Sequence, residues 1–418
     1  MSISSIFTFL TEYAATKALD KGIEWLEKQD ASGALVLHKG KFRTAIGHVQ
    51  RTLKLDGRDA LVKKREEENK NHFRDYHKEN LLISGNIRIA YSHQLSFING
   101  GPDYVNPSSL KAKFEERYNA DSKLGIPNYK NAVISYRKSL NHKEPYPGAI
   151  VRVSDWHHKT KFALSEADYL DQYVTNQVEV ADKLIQETVG NSLVIPPSYS
   201  GKTLRDIERK NANLLPFDTS RLSNSIGIAG TVITADGYLV LPRRNKQVHV
   251  QAGYEGCSVS GVLEWSKGLL KNMMEEMIQQ LCGKEGPAEL LLAKGMGHCI
   301  PLAFARELHR VGKPQFFFHI WSRELLENFK VKWEKSSYPK EEYDSIRWVR
   351  LFDTASSPET HSDETAAMVV QRILSLLEPT TSIDLGDLGR IALSEEARAN
   401  LFYLAMYFAL SKGTAFVV

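Results

Sequence analysis

The sequence predicts an α+β fold, because strand and helix patterns are mixed through its C-terminal half. A hairpin pattern occupies residues 226–244, and an apolar strand pattern occupies residues 315–321. Two helical patterns follow, at residues 363–377 and 394–412. This mixture is typical of α+β domains.

The hairpin is centred on Asp236 and Gly237. β-rich runs flank this dipeptide, and it supplies the positive φ angles that a tight hairpin turn requires. The strand at residues 315–321, QFFFHIW, follows the turn residues 312–314, Gly-Lys-Pro. We therefore expect a two-stranded hairpin and a further buried strand.

The two C-terminal helices have recognisable ends. The first begins at Ser362 or Asp363, and the second has Ser394 as its N-cap and Gly413 after its last turn. The most apolar run of the chain, residues 401–410, is about half the roughly 20 residues that a membrane-spanning helix needs. We therefore expect a core helix there and no transmembrane segment.

Weaker patterns precede the hairpin. Alternating apolar residues at 81–97 and 149–153 predict short strands. Helical spacing after candidate caps predicts helices at residues 110–118 and 165–187.

Three regions follow from these patterns. Residues 1–125 are expected to be a mainly helical N-terminal region, in which residues 7–26 have amphipathic helical spacing. Residues 126–215 form an α/β extension, and residues 216–418 form the main domain with its C-terminal helices. The amphipathic helix is the candidate surface for self-association or for a protein partner, because its polar side is mixed in sign and therefore unlike a membrane-binding helix.

The composition does not favour a nucleic-acid or membrane partner, and no nucleic acid is expected. Lys and Arg number 54 and Asp and Glu number 50, and the resulting net charge of +4 is too small to predict nucleic-acid or membrane binding. Cys257, Cys282 and Cys299 have no C-x-x-C spacing, which favours free thiols in the reducing cytoplasm over a disulfide or zinc framework.

One helix carries the candidate functional residues. Within residues 270–281 the apolar side chains share a stripe, and Glu276, Gln279 and Gln280 lie together on an edge beside it. Helical geometry also places Glu275 beside Gln279. Such an edge holds a divalent cation when its members are carboxylates, because Mg²⁺ prefers charged oxygen ligands.

This helix and the loop before it resemble the box motif of the Nudix hydrolase superfamily. Gly261 matches the glycine of the box, and Glu276 and Met277 match an acidic and an aliphatic position at the same spacing. The resemblance implies a Nudix-like α/β/α sandwich in the C-terminal half.

Most acids of the box are replaced in this chain. Lys267 stands where the family has its first glutamate, and Gln279 and Gln280 stand where it has a glutamate pair. Because an amide lacks the charge and basicity of a carboxylate, Mg²⁺ or Mn²⁺ is expected to bind weakly, through Glu275 and Glu276. A shifted register would place these two glutamates on the paired acids, but the loop would then lose its glycine.

Flanking segments extend the resemblance. The hairpin ends in Arg243 and Arg244, whose guanidinium groups match phosphate oxygens and are expected near a diphosphate. Segments similar to members that act on nucleotide sugars lie at residues 169–176, 224–228 and 301–321. Arg306, Arg310 and Lys313, within or just before the last of the predicted strands, are expected to be ordinary surface cations.

The resemblance implies binding of a nucleoside-diphosphate-linked compound, a nucleotide or nucleotide sugar, with weak or no hydrolysis, in a sensor or scaffold role. The implied ligand-binding residues are Arg243, Arg244, Gly261, Gln279 and Gln280. Two alternatives stay open. One is an active Mg-dependent Nudix diphosphohydrolase that uses Glu275 and Glu276 as catalytic and metal-binding residues, and the other is a protein-interaction scaffold without a ligand.

Overall fold

The computed structural model describes residues 64, 67, 81–84, 87–101, 103–142, 145, 147–157, 159–245, 248, 251–266, 269, 272–284, 296–335, 342–351, 363–377 and 391–410. The amphipathic pattern at residues 7–26, Lys267 and Gly413 lie outside these residues.

The strands of the described part are β1 (Leu81–Ser84), β2 (Ile87–Ser96), β3 (Lys111–Phe114), β4 (Ala149–His157), β5 (Lys161–Asp168), β6 (Arg209–Lys210), β7 (Asn213–Leu214), β8 (Gly227–Ile233), β9 (Tyr238–Arg244), β10 (Val259–Val262), β11 (Met296–Glu307), β12 (Lys313–Ser322) and β13 (Tyr343–Arg350).

Its α-helices are α1 (Ala120–Leu124), α2 (Tyr129–Ser139), α3 (Tyr169–Thr175), α4 (Val178–Ala181), α5 (Ile185–Val189), α6 (Leu204–Ile207), α7 (Met273–Lys284), α8 (Leu326–Lys335), α9 (Asp363–Leu377) and α10 (Glu395–Leu410). Single 3-10 turns occupy Pro107–Ser109 and Pro197–Tyr199.

A large mixed sheet organises these elements into an α+β fold, as the sequence predicts. Its strand order is β1-β2-β11-β12-β8-β9-β13, and β10 pairs with β8 beside this path. Strands β12 and β8 are parallel, whereas the other neighbouring pairs are antiparallel. A second sheet has the order β3-β5-β4.

The central strands of the large sheet are buried on both faces. Side chains alternate along β12, so that Phe317 and Trp321 join the core formed with α9 and α10. Phe316, Phe318 and Ile320 join the core formed with α7, α8 and the three-stranded sheet. Burial on both faces explains why β12 is apolar at nearly every position rather than at alternate ones.

The predicted hairpin is confirmed as β8 and β9. Gly237 has a φ of +84°, in the region that favours glycine. The Asp236 carboxylate accepts hydrogen bonds from the Thr234 hydroxyl at 2.7 Å and from the Leu326 backbone nitrogen at 3.0 Å. The turn residue therefore also binds the first turn of α8.

The predicted C-terminal helices are confirmed as α9 and α10. Ser394 caps α10, because its hydroxyl accepts a hydrogen bond from the Ala397 nitrogen at 3.1 Å. Residues 401–410 are almost wholly buried in the core. Throughout the described part of the chain, no helix has both the length and the apolar character that crossing a membrane requires.

The predicted helix at residues 110–118 is wrong, and the helical segment predicted at residues 165–187 begins four residues late. Residues 110–118 contain the strand β3, which pairs in parallel with β5 and has alternating exposure. Residues 165–168 are the end of β5, and the helix begins only at Tyr169, after Asp168 accepts a hydrogen bond from the Leu170 nitrogen at 2.8 Å. In both cases pairing within the second sheet outweighs the local helical pattern.

From residue 81 onward, the described part of the predicted N-terminal helical region contains more strand than helix. Residues 81–125 contain β1, β2, β3 and the five-residue α1. Strand β2 pairs with β11, so these residues complete the large sheet. The alternating pattern at residues 81–97 predicts this part correctly.

Candidate functional site

A cavity of about 610 Å³ lies where the ends of several elements meet. Its walls come from the start of β4, from α3, β10 and the end of β9, and from the starts of β12, β13 and α10. Three cations, three acids and three aromatic residues are among those lining it: Arg244, Arg310, Lys313, Glu264, Glu342, Glu396, Tyr169, Trp265 and Tyr343. Gln172, Ser260 and Gly261 also line it.

Arg310 and Lys313 flank a tight turn between β11 and β12. The backbone nitrogen of Lys313 donates to the Arg310 oxygen at 3.2 Å, and Val311 and Gly312 between them have φ angles of +53° and +82°. Glycine adopts such angles freely, whereas a β-branched valine does so only with strain. Strain of this kind persists only where surrounding contacts hold the backbone.

Side chains from other segments hold this turn. Arg205 donates to the backbone oxygens of residues 308 and 309 at 2.7 and 2.8 Å. Asn176 donates to that of residue 310 at 3.0 Å, and Arg306 donates to that of residue 312 at 3.1 Å. The side chains of Arg310 and Lys313 therefore project from a fixed backbone.

Arg310 lines the cavity, and its guanidinium has few internal partners. Its side chain is 13% exposed, and its closest acidic partner is the Glu307 carboxylate at 3.9 Å, beyond hydrogen-bond distance. Its buried Nε has no hydrogen-bond partner among the residues that the structure describes. Because buried polar groups are normally hydrogen-bonded, this cation is placed to bind a group that enters the cavity.

Lys313 belongs to a buried polar chain. Its ammonium group donates to the Gln315 side-chain oxygen at 2.9 Å, and the Gln315 amide nitrogen donates to the Glu396 carboxylate at 2.7 Å. Gly227 makes room for this chain, because a Cβ there would lie 2.2 Å from the Lys313 Nζ and 1.8 Å from the Gln315 Oε1.

Burial shifts the ionisation of both ends of this chain. Burial, together with the neighbouring charge of Arg310, lowers the pKa of Lys313 from 10.5 to about 8, against the opposing effects of Glu307 and Glu396. Burial also raises the pKa of Glu396, against the opposing effect of Lys313. The raised pKa favours the neutral form of Glu396, and the lowered pKa likewise favours the neutral form of Lys313.

Of the two predicted arginines, Arg244 lines the cavity and Arg243 does not. Arg244 pairs with Tyr343 across the β9–β13 ladder, and Tyr343 also lines the cavity. Successive residues of a strand point to opposite faces, so adjacent arginines cannot both project into the same cavity.

Gly261 lines the cavity, and Gln280 supports the wall next to it. The Gln280 side-chain oxygen accepts from the Glu264 nitrogen at 2.9 Å, and its amide nitrogen donates to the Val262 oxygen at 2.8 Å. Gln280 is buried, whereas Gln279 is exposed and does not line the cavity.

The two glutamates of α7 are bound locally and do not line the cavity. Glu275 accepts a hydrogen bond from the Asn272 amide at 3.1 Å and donates its backbone nitrogen to Asn272 Oδ1 at 3.2 Å, a reciprocal cap. Glu276 accepts from the Ser266 hydroxyl at 3.0 Å.

These two acids do not fit a Mg²⁺ or Mn²⁺ centre. Within the described segments, no group of three or more His, Cys, Asp or Glu side chains is placed to hold a metal ion. Two neighbouring carboxylates, each already bound elsewhere, supply less than the oxygen-rich shell that these cations take. No chemical step is assigned to a metal at this helix.

Sequence reasoning missed much of the site. Lys313 and Arg306 are 2% and 6% exposed, so the expectation of ordinary surface cations is wrong for both. Gln172 and Glu396 come from remote parts of the chain and have no local motif. The segments at 169–176 and 224–228 do meet, because the Asn176 side-chain oxygen accepts from the Asn224 nitrogen at 3.0 Å.

Comparison with known proteins gives little further guidance. No protein-family model and no curated protein matches the chain. One similar solved structure is the crystal structure of DR0079 from Deinococcus radiodurans, which is 13% identical. The match covers 42% of this chain and 80% of that chain, with a TM-score of 0.24.

Proposed function

We propose that the protein binds a nucleoside-diphosphate-linked compound in this cavity, as a sensor or scaffold, without metal-dependent hydrolysis at α7. The observation that carries the proposal is that Arg310 lines the cavity, that its side chain is largely buried, and that its Nε has no hydrogen-bond partner among the described residues. Arginine is suited to phosphate oxygens because its planar donors match them in pairs.

The charge of the cavity supports an anionic ligand. Arg244, Arg310 and Lys313 line it together, and the raised pKa of Glu396 reduces the opposing negative charge. The other two acids, Glu264 and Glu342, are exposed, so their charge is screened by solvent.

The size and the remaining walls support a ligand larger than a phosphate. The cavity volume of about 610 Å³ lies in the range of small-molecule sites, roughly 300–1,000 Å³. Tyr169 and Trp265, which are half-buried, offer aromatic surface for a base or sugar.

Three features support binding rather than hydrolysis. Gln280 binds the backbone of Val262 and Glu264, Glu275 accepts a hydrogen bond from the Asn272 amide, and Glu276 accepts one from the Ser266 hydroxyl. None of them is left as an available base in the cavity, which a diphosphohydrolase of the expected type requires.

We also propose that the large sheet and its covering helices form a Nudix-like sandwich. The support is the order of hairpin β8–β9, strand β10 and helix α7, together with helical layers on both faces of the sheet. We place the protein in the cytoplasm, where cysteines such as Cys257, Cys282 and Cys299 stay reduced.

A thermal-shift screen of nucleotides and nucleotide sugars, with EDTA or with Mg²⁺, tests this proposal when every hit is followed by product analysis. We expect stabilisation in EDTA and an intact ligand afterwards. Stabilisation only with Mg²⁺, with release of nucleoside monophosphate, would support the hydrolase instead. No stabilisation by any compound would support a scaffold without this ligand.

A further inference from the structure

Gln172 is a buried amide on the cavity wall whose side chain has no internal partner. It lies in α3, its exposed fraction is 0%, and it lines the cavity beside Arg310 and Lys313. Neither its Nε2 nor its Oε1 has a hydrogen-bond partner among the described residues. Buried side-chain amides normally satisfy both groups, so this one is exceptional.

Three other buried amides around the cavity are satisfied on both sides. Gln280 binds the backbone of Val262 and Glu264. Gln315 accepts from Lys313 and donates to Glu396. Asn176, one helical turn after Gln172, accepts from the backbone nitrogen of Asn224 and donates to the Arg310 oxygen. These amides support the cavity wall, whereas Gln172 alone of the four has both its donor and its acceptor without a partner among the described residues.

The free amide has a defined chemical preference. It offers a donor beside an acceptor in one plane, which matches a planar ligand edge that carries an acceptor beside an N–H. Nucleobases have such edges, and paired hydrogen bonds of this kind discriminate between bases. Phosphate oxygens do not, because they accept only.

We propose that Gln172 binds the nucleobase of the ligand and selects among bases. The backbone supports this role, because Asn176 ties the end of α3 to the turn that carries Arg310. The base-binding amide and the phosphate-binding guanidinium are thereby held by one framework. This inference rests on the proposed function and adds to it the part of the ligand that the cations do not contact.

The test is calorimetric titration of ADP, GDP, CDP, UDP and inorganic diphosphate, all in EDTA, into the wild type and Gln172→Leu. Leucine is similar in size and leaves no polar group unpaired, so the variant is expected to fold with an unchanged or raised melting temperature. Gln279→Leu, at an exposed position outside the cavity, is the matched control.

We expect the wild type to favour one or two bases, and the preference to fall by about tenfold in Gln172→Leu. Affinity for inorganic diphosphate should stay within about twofold, and Gln279→Leu should behave as the wild type.

An unchanged ratio between nucleotides and diphosphate in Gln172→Leu would overturn this inference while leaving the proposed function intact. A large loss of melting temperature together with weaker diphosphate binding would assign the amide a structural role and overturn it too. Absence of binding by every probe in the wild type would instead overturn the proposed function.

Discussion

The side-chain oxygen of Gln280 lies 2.9 Å from the backbone nitrogen of Glu264 and accepts its hydrogen bond. Together with the bond from Gln280 to the Val262 oxygen at 2.8 Å, this contact fastens α7 to the segment that contains part of the cavity wall. A glutamate cannot make both bonds when ionised, because it has no donor. The amide of Gln280 therefore stabilises the structure through two backbone hydrogen bonds that an ionised glutamate could not both make.

Restoring the acid at this position should destabilise the protein. We expect Gln280→Glu to lower the free energy of unfolding by about 1–3 kcal/mol at neutral pH, because the Val262 oxygen loses its donor and faces a carboxylate. The loss should shrink at acidic pH, where the new carboxyl becomes protonated and can donate again. Urea unfolding at several pH values measures both effects.

Gln279→Glu is the matched control for this substitution. Gln279 is exposed and does not line the cavity, so its change to glutamate should alter the free energy of unfolding by less than about 0.5 kcal/mol. Equal losses in the two variants would contradict the structural use of Gln280.

Two glycine substitutions should act in opposite directions. Gly227→Ala places a Cβ against the Lys313 ammonium and the Gln315 oxygen. We therefore expect the free energy of unfolding to fall by about 1–3 kcal/mol and diphosphate binding to weaken. Gly283→Ala, in α7 with no atom within 4 Å of its new Cβ, should stabilise by about 0.5–1 kcal/mol. Unfolding curves of both variants check the signs, and a stabilised Gly227→Ala would contradict the packing around Lys313.

Diphosphate binding should depend on pH through Lys313. An anion favours the charged form of this lysine, whose pKa in the folded protein is lowered from 10.5 to about 8. Binding near pH 8 to 9 should therefore take up protons, and affinity should fall as the pH rises through that range. Titrations in two buffers of different ionisation enthalpy measure the uptake.

The lowered pKa of Lys313 also makes the stability of the unliganded protein depend on pH. Between about pH 8 and 10.5 the unfolded chain binds more protons at this lysine than the folded protein, so the Lys313 contribution to stability rises with pH. Lys313→Arg keeps the charge without titrating in this range and should lose both dependences. Unaltered proton uptake in that variant would assign the effect to another group.

The sequence predicts those parts of the fold that depend on local patterns. The Asp236-Gly237 turn, the apolar β12 and the Ser394 cap are each encoded within a few residues, and all three are found. Residues 110–118 contain β3, and residues 165–168 are the end of β5. Both strands belong to the same three-stranded sheet, in which β3 and β4 each pair with β5, and no local period reveals this pairing.

The site is less predictable because its residues meet only through the sheet. Arg244 and Gly261 follow from the hairpin and the box-like loop, and both line the cavity. Gln172 and Glu396 lie more than 200 residues apart in sequence, and both line the cavity, Gln172 from α3 and Glu396 from the start of α10. Contacts between remote segments also decide whether a polar side chain binds the protein's own backbone, as Gln280 does, or is left without a partner.

The most direct test of the central claim is calorimetric titration of ADP, in EDTA, into the wild type, Arg310→Met and Arg117→Met. Arg310→Met removes a cation that faces the cavity, and Arg117 is a control cation whose side chain is 61% exposed. We predict binding by the wild type and the control, and affinity at least about tenfold weaker in Arg310→Met, as expected for a lost charge-assisted hydrogen bond. Equal affinity in all three proteins, or no binding to the wild type without a metal, would contradict the account.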